Sequence, residues 1–240
     1  MSPLRSTVTL PAVVVGLATF LVVLIPGPGL PVAIVTGAIV AAAFARVVSG
    51  RAVGVVRRSL NARPAHVGEF PRLHNTVGGL CLTHGTDLPE LFVIDSPAGN
   101  AAAMAGREGT SMVLTTGAVD RLGLVELEAL VAHLLVRCGE DGLRADTTRA
   151  SMGRLAGPRL VATADAGPDR LMQVDFDGAD LTRFPPGMQT ALQALADLGT
   201  EVDAPRSTFR LWLLQPDGRT DVRTTSHPTV EVRIAALGEC

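Results

Sequence analysis

A long uncharged stretch constrains the fold of this chain more than any other feature. From Ser6 to Ala45 no residue is charged, and the apolar run is broken once, at Pro26-Gly27-Pro28-Gly29. Each half has about the number of residues that crosses a ~30 Å hydrocarbon core as a helix. The sequence therefore predicts a transmembrane helical hairpin, with helices from Val8 to Ile25 and from Leu30 to Ala45. A re-entrant hairpin is the alternative for segments this short.

Arginines flank this run at its two ends. Arg5 precedes it, the connecting loop has none, and four follow it: Arg46, Arg51, Arg57 and Arg58. Because arginine is enriched on the cytoplasmic side of membrane proteins, both ends and the domain after them are expected to face the cytoplasm. A cleaved signal peptide is the competing interpretation, but the apolar stretch is about twice the length of a usual signal core. The expected location is the cytoplasmic (inner) membrane of a cell.

Composition divides the chain into three parts and excludes some functions. Residues 1–50 hold the hairpin, 51–68 a basic linker next to anionic headgroups or water, and 69–240 the domain. The net charge of −2 gives no electrostatic case for nucleic acid as a partner. The cysteines are few and widely spaced, which fits free thiols in a reducing compartment: Cys81, Cys138 and Cys240.

The domain alternates helical periodicity with two short strand-like runs, which predicts an α+β fold that is mostly helical with a small β-sheet. The strands are expected at Leu88 to Asp95 and Ser111 to Thr116, as a strand and a hairpin-like return. Helices are expected at 69–85, 122–138, 147–155, 188–198 and 229–237, the last capped by Ser226-His227-Pro228. Trp212, in an apolar run, is expected in the core.

The helix from Leu122 to Cys138 carries a suggestive lone histidine. One stripe is apolar, and the other places Arg137 one turn beyond His133. A zinc-binding helix of the H-E-x-x-H type has a histidine where Arg137 stands and a glutamate where Leu134 stands. Whether this spacing is a coincidence depends on the rest of the chain.

From about Phe70 onward the chain resembles the HtpX and CAAX prenyl protease family of membrane-bound zinc metallopeptidases. The resemblance rests on the order and spacing of several blocks together with the preceding hairpin. These blocks are Leu88-Pro89, Asn100-Ala101-Ala102-Ala103, Gly106-Arg107, Val113-Leu114-Thr115-Thr116-Gly117, Glu126 to Ala129 before Ala132-His133, and Ser226-His227-Pro228 with Arg233-Ile234. The resemblance implies a zincin-like fold.

In that family two histidines and a later glutamate hold zinc, and the glutamate of the helix motif activates water. The resemblance makes His133, Arg137 and Leu171 the former ligand positions, and Leu134 the former base. Arginine stays protonated and has no lone pair for a metal. Another register offers Asp175 or Asp177 as a carboxylate ligand, which still leaves the site incomplete. The expected cofactor is none, with zinc only if the site is active after all.

Other family positions are retained. Asp175 matches the aspartate that orients a ligand histidine, and His227 and Arg233 match residues that stabilise the oxyanion. The segment Asn100, Ala101, Ala102, Ala103 matches the strand edge along which substrate peptides pair. Packing offers a competing explanation: His227 would cap the last helix, Arg233 would pair with a carboxylate such as Asp175, and His133 would hydrogen-bond within a collapsed site.

Three functions remain open from the sequence. The first is a membrane-anchored, catalytically inactive metallopeptidase homologue that binds a protein or peptide partner in the former cleft. The second is an active hydrolase with a metal on His133, Asp175 and a loop residue such as Asp141. The third is a structural membrane protein whose domain only packs.

Overall fold

The computed structural model describes residues 3–25, 29–153, 168–224 and 227–239. It combines α-helices with one small sheet, as the helical periodicity and the short strand-like runs of the sequence predict. The helices are α1 Pro3–Leu24, α2 Leu30–Ser59, α3 Pro71–His84, α4 Thr116–Arg121, α5 Leu124–Gly139, α6 Leu143–Met152, α7 Pro168–Thr182, α8 Pro185–Asp197 and α9 Val230–Leu237, with a 3₁₀ turn at Arg206–Leu211. The strands are β1 Arg63–Pro64, β2 Glu90–Ile94, β3 Ala101–Ala105 and β4 Thr110–Thr115.

The first two helices pack closely through glycine. A Cβ on Gly16 would lie 2.9 Å from Ala41 Cβ, and one on Gly37 would lie 2.8 Å from the Gly16 carbonyl oxygen. Only residues without side chains allow two helix backbones to approach this closely. The predicted break at residues 26–28 lies outside the described residues.

The second helix is longer than the sequence pattern predicts. The prediction that it ends at Ala45 is wrong, because α2 continues without interruption to Ser59. Ala52 and Val56, one turn apart, are each 1% exposed and attach this second half to the domain. That burial favours helix where charge alone indicated a linker.

The two helices expose apolar surface that a water-soluble protein would bury. α2 is long and apolar enough to cross a membrane, whereas the qualifying stretch of α1, Pro11–Leu24, is shorter. Side chains along α2 are half or more exposed, among them Val32, Ile34, Val35 and Ile39. Large contiguous apolar surfaces of this kind are a sign of contact with lipid or protein.

The sheet has the strand order β1-β2-β4-β3. β2 and β4 run parallel, so the predicted hairpin-like return between them is wrong. The true hairpin is β3 to β4, closed at its tip by a bond from Gly106 N–H to Gly109 O at 2.8 Å. β3 was not distinguished by propensity because its sequence, Ala101 to Ala105, contains no β-branched or aromatic residue.

The first residue of α9 also differs from the prediction. The helix is capped by Thr229, whose hydroxyl accepts from Val232 N–H at 3.3 Å. The predicted cap at Ser226-His227-Pro228 is therefore wrong, and Ser226 itself lies outside the described residues. Trp212 is fully buried, as expected for a core residue.

Candidate functional site

The candidate site lies where α5 crosses α7. A Cβ on Gly178 of α7 would be 3.0 Å from His133 Cα and 3.1 Å from its backbone nitrogen, so the two helices nearly touch. This contact brings His133 Nδ1 to 2.9 Å from Asp175 Oδ1, with both side chains 1% exposed. Nδ1 nevertheless forms no hydrogen bond of regular geometry with any described residue. A carboxylate at this distance favours the tautomer with its proton on Nδ1.

Arg233 clamps the same carboxylate from α9. Its Nε and Nη2 donate to the two oxygens of Asp175, each at 2.7 Å, and its Nη1 donates to Leu213 O at 2.8 Å. The guanidinium is buried with the pair. The competing explanation from sequence, that Arg233 pairs with Asp175, is therefore confirmed. In this geometry all three nitrogens of the Arg233 guanidinium donate hydrogen bonds to other residues of the protein.

Burial and charge set the protonation of the pair. Burial lowers the pKa of His133, and the charges of Arg233 and Arg137 lower it further, against the opposing effect of Asp175. Burial by itself would raise the pKa of Asp175, but the charge and hydrogen bonds of Arg233 outweigh it and hold that pKa below its usual value. The site therefore contains a neutral imidazole, a carboxylate and a guanidinium.

Arg137, at the former position of the second ligand, is buried in a network of ion pairs. Its Nη1 donates to Glu140 Oε2 and its Nη2 to Arg210 O, both at 2.6 Å. Glu140 Oε1 also accepts a hydrogen bond from Arg170 Nε at 2.5 Å. Arg170 continues the network to Asp146 on α6 at 3.0 Å. Arg137 thus joins α5 to α6 and α7 by charge.

The sequence analysis did not identify this network. Glu140 stands three residues after Arg137, and Arg149 stands three after Asp146, spacings at which helical side chains meet. Those short-range pairs could have been found from the sequence. The link through Arg170 could not, because it joins residues 30 positions apart.

The other two former metal-site positions are apolar and buried. Leu134 is 1% exposed and Leu171 is 4% exposed. Leu171 stands one turn before Asp175 on α7, so both side chains project from the same side of that helix. Both leucines contribute to the packed interior in place of polar groups.

These residues do not fit a zinc ion. A zinc site needs three or four nitrogen, sulfur or carboxylate ligands that converge on one point. In the described ranges, no three His, Cys, Asp or Glu side chains gather in this way. The permanent cation of Arg137 would also repel the metal. No step of a zinc mechanism can therefore be derived from this arrangement.

The alternative ligands from sequence lie elsewhere. Asp177 is exposed and accepts from Gln173 Nε2 at 2.8 Å on the outer side of α7. Asp141 is exposed in the turn after α5. Neither joins His133 and Asp175 in a group of metal ligands among the described residues.

The predicted peptide-binding edge is occupied by the chain itself. β3 is the outer strand of the sheet, but Ala102 forms an antiparallel bridge with Trp212, and Leu213 N–H donates to Ala101 O at 2.8 Å. The side chain of Asn100 binds the backbone of Leu214 in both directions, at 3.0 and 3.2 Å. We call Trp212 to Leu214 the internal strand.

The retained His227 contacts the same internal strand. Its Nε2 lies 3.0 Å from Trp212 O, so its ring does not cap α9. Burial lowers the pKa of His227 to about 4, against the bond to Trp212, and the charges of Arg233 and Arg137 lower it further. Asn100, Ala101, Ala102, His227 and Arg233 thus all contact the internal strand, which sequence reasoning did not foresee.

Comparison with known proteins is consistent with the resemblance seen in the sequence. The chain is 28% identical to a protease HtpX homologue of Dictyoglomus thermophilum over 211 residues, which cover 70% of this chain and 69% of that protein. It is 24% identical to the homologue of Ligilactobacillus salivarius, over 87% of this chain and 85% of that protein. A shorter match, 31% over 91 residues, covers 38% of this chain and 28% of the homologue from Bacteroides fragilis. Several such relatives span most of both chains.

The chain is an HtpX-like protein. No family model matches it, and no solved structure matches it with significance. As an HtpX-like chain it comes from a family of membrane metallopeptidases. At the positions that the sequence resemblance assigns to the base and to two of the metal ligands, this chain has Leu134, Arg137 and Leu171.

Proposed function

We propose that this chain is a membrane-anchored HtpX-like protein that holds no zinc and does not cleave peptides. The observation that carries the proposal is the guanidinium of Arg137, buried and paired with Glu140 at the position of a metal ligand. With a cation in that position and leucine at the other two, neither metal binding nor activation of water has the groups it needs. The vestigial positions are His133, Leu134, Arg137, Leu171, His227 and Arg233.

The membrane anchor is the second part of the proposal. α1 and α2 would form the transmembrane hairpin, supported by their close packing at Gly16 and Gly37 and by the apolar side chains they expose. The arginines after Ala45 favour a cytoplasmic domain attached to the inner membrane. The domain after the hairpin would keep the zincin-like helices α5 and α7 as packing elements.

Zinc content tests this proposal directly. The full chain, purified in detergent with zinc in the buffer and then dialysed, is expected to retain far less than one zinc per chain. The variant Leu134→Glu/Arg137→His/Leu171→Glu restores a complete donor set and is expected to bind about one. Leu134→Glu/Arg137→Gln/Leu171→Glu has the same charges but lacks the second histidine ligand, so it serves as the matched control and is expected to bind no zinc. One zinc per wild-type chain that is lost in His133→Ala would contradict the proposal and favour the active hydrolase.

Partner binding is the third part. The former cleft can take an extended peptide along β3 only if the internal strand leaves, because that strand already bonds Ala101 and Asn100. A partner would therefore compete with residues 212–214 for one edge. We propose that the cleft is closed in the resting protein and opens only to such a competitor.

A labelled peptide with the sequence of residues 210–215 tests the closed cleft. The wild-type chain is expected not to bind it. Leu213→Pro, which removes only the N–H that the internal strand donates to Ala101 O, is expected to bind it measurably. Asn75→Ala, on the exposed face of α3, is the control. Binding to the wild type would show an open cleft. No binding to either variant, with both folded, would favour the purely structural protein.

A further inference from the structure

The apolar part of α2 ends close to the point where the β3–β4 hairpin of the domain packs against the helix. The uncharged run ends at Ala45, and the β3–β4 hairpin tip packs on α2 shortly after it, at Gly50 and Val53. A Cβ on Gly106 would lie 3.0 Å from Val53 Cγ2, and Arg107 Cδ lies 3.9 Å from where a Cβ on Gly50 would stand. The hairpin tip is therefore held at the level of the helix where a membrane surface would end.

Three arginines lie at this level of α2. Arg46 stands one turn before Gly50 on the same face of α2, Arg51 directly follows Gly50, and Arg107 lies over it from the hairpin. Arg46 and Arg51 are about 7.5 Å apart along the helix axis at ~1.5 Å per residue. A headgroup layer is roughly 5 to 8 Å thick, so all three fall within one layer.

Among the described residues, these three arginines have no carboxylate within ion-pair distance, as is also true of Arg121 and Arg183 in the domain. All three are exposed. Arg57, further along α2, lies over the Phe92 ring, and Arg58 donates to Gly54 O. The exposed guanidinium groups of Arg46, Arg51 and Arg107 thus stand together at the level of the expected membrane surface.

We propose that Arg46, Arg51 and Arg107 form a collar that binds the phosphates of anionic phospholipids where α2 leaves the bilayer. A planar guanidinium donates two parallel hydrogen bonds to a phosphate, and arginine is only weakly hydrated, so it suits this position. Because Arg107 comes from the sheet, lipid binding would fix the domain at a defined height on the membrane. The inference rests on the membrane anchor proposed above.

Two carboxylates belong to the same recess of about 160 Å³ between α2 and the hairpin. Glu90 and Glu108 line it with Arg107, and neither pairs with an arginine among the described residues. Their charge opposes an anionic headgroup. Glu108, exposed beside Arg107, therefore offers a variant with the opposite expected effect.

Lipid titration of the full chain in detergent tests the collar. Phosphatidylglycerol and phosphatidylcholine are added separately and bound lipid is counted by native mass spectrometry. The wild type is expected to prefer phosphatidylglycerol, each change to glutamine at Arg46, Arg51 or Arg107 to lower that preference by up to about fivefold, and added salt to weaken it. Glu108→Gln is expected to raise the preference. Arg121→Gln, at the exposed end of α4, is the matched control and is expected to change nothing.

Equal binding of the two lipids by the wild type would overturn the collar. So would an unchanged preference in the triple variant Arg46→Gln/Arg51→Gln/Arg107→Gln. Extraction of cell membranes with alkaline carbonate separates this from failure of the anchor. A chain that stays in the membrane but shows no lipid preference refutes the collar alone. A chain released by carbonate refutes both the anchor and the collar.

Discussion

Individual residues around His133 and Arg137 are held in charge pairs. Asp175 is held by two bonds from Arg233, and Glu140 by bonds from Arg137 and Arg170. Buried ion pairs of this kind add little net stability but make removal of one partner costly, by roughly 3 to 5 kcal/mol. Charge pairing and packing are therefore enough to account for these residues without any chemistry at the site.

The buried histidines predict a loss of stability in mild acid. The pKa of His133 is lowered by burial and that of His227 to about 4, whereas an unfolded histidine titrates near 6.5. Between these values the unfolded chain binds more protons, so the free energy of unfolding falls as the pH drops below about 6.5. For His227 the loss is on the order of 3 kcal/mol by pH 4.

Thermal melting of the full chain in detergent, followed by circular dichroism from pH 8 to pH 4, measures this effect. His227→Gln is expected to be less stable at pH 8 and to lose less stability on acidification. His84→Gln, an exposed histidine at the end of α3, is the control that keeps the wild-type pH dependence. A slope between pH 6.5 and 4.5 that is unchanged in His227→Gln would contradict the assignment.

At the scale of elements, the crossing of α5 and α7 determines the site. Gly178 allows the α7 backbone to approach His133, and this approach brings Asp175 within 2.9 Å of the imidazole. The periodicity of α5 predicted its existence but not its burial. Leu124, on the apolar stripe, is 63% exposed, whereas His133 and Arg137 on the other stripe are buried. The region of α7 was not predicted as a helix, since Asp175, Asp177 and Gly178 give it a weak helical pattern that only burial against α5 overcomes.

Replacing Gly178 by alanine is therefore expected to destabilise the protein. The added methyl group would meet backbone atoms at 3.0 to 3.1 Å, which only a shift of α7 can relieve, at a cost of about 1 to 3 kcal/mol. Gly79→Ala, in α3 with nothing within 4 Å, is the matched helical control and is expected to stabilise by up to about 1 kcal/mol. Melting temperatures of the two variants measure the difference. Equal effects in both would mean that the crossing is not tight.

At the scale of the whole molecule, α2 connects the proposed membrane anchor to the domain. Its first half exposes apolar side chains, and its second half packs on the sheet through Ala52 and Val56. α6, a polar helix, packs against both α1 and α2 and also carries Asp146 of the charge network. The former metal helix and the proposed anchor are thus parts of one packed structure.

The proposed orientation predicts the behaviour of reporter fusions. Green fluorescent protein fused after Cys240 is expected to fluoresce and alkaline phosphatase fused there to be inactive, since arginines favour a cytoplasmic domain. Alkaline phosphatase fused after Gly29, between the two helices, is the control and is expected to be active. Phosphatase activity at the C-terminus with none after Gly29 would reverse the orientation.

The sequence by itself determined the apolar run, the α+β class and the placing of His133, Leu134 and Arg137 on one helix, because these depend on local pattern and on the chemistry of single residues. His133 with Leu134 and Arg137 already argued against a zinc site, since arginine cannot ligate a metal. Only the tertiary structure decided what fills that site and its cleft. The pairing of Asp175 with Arg233, the link from Glu140 to Arg170 and the internal strand on β3 join residues 30 or more positions apart. Such contacts follow from how the helices and the sheet pack, which no local pattern encodes.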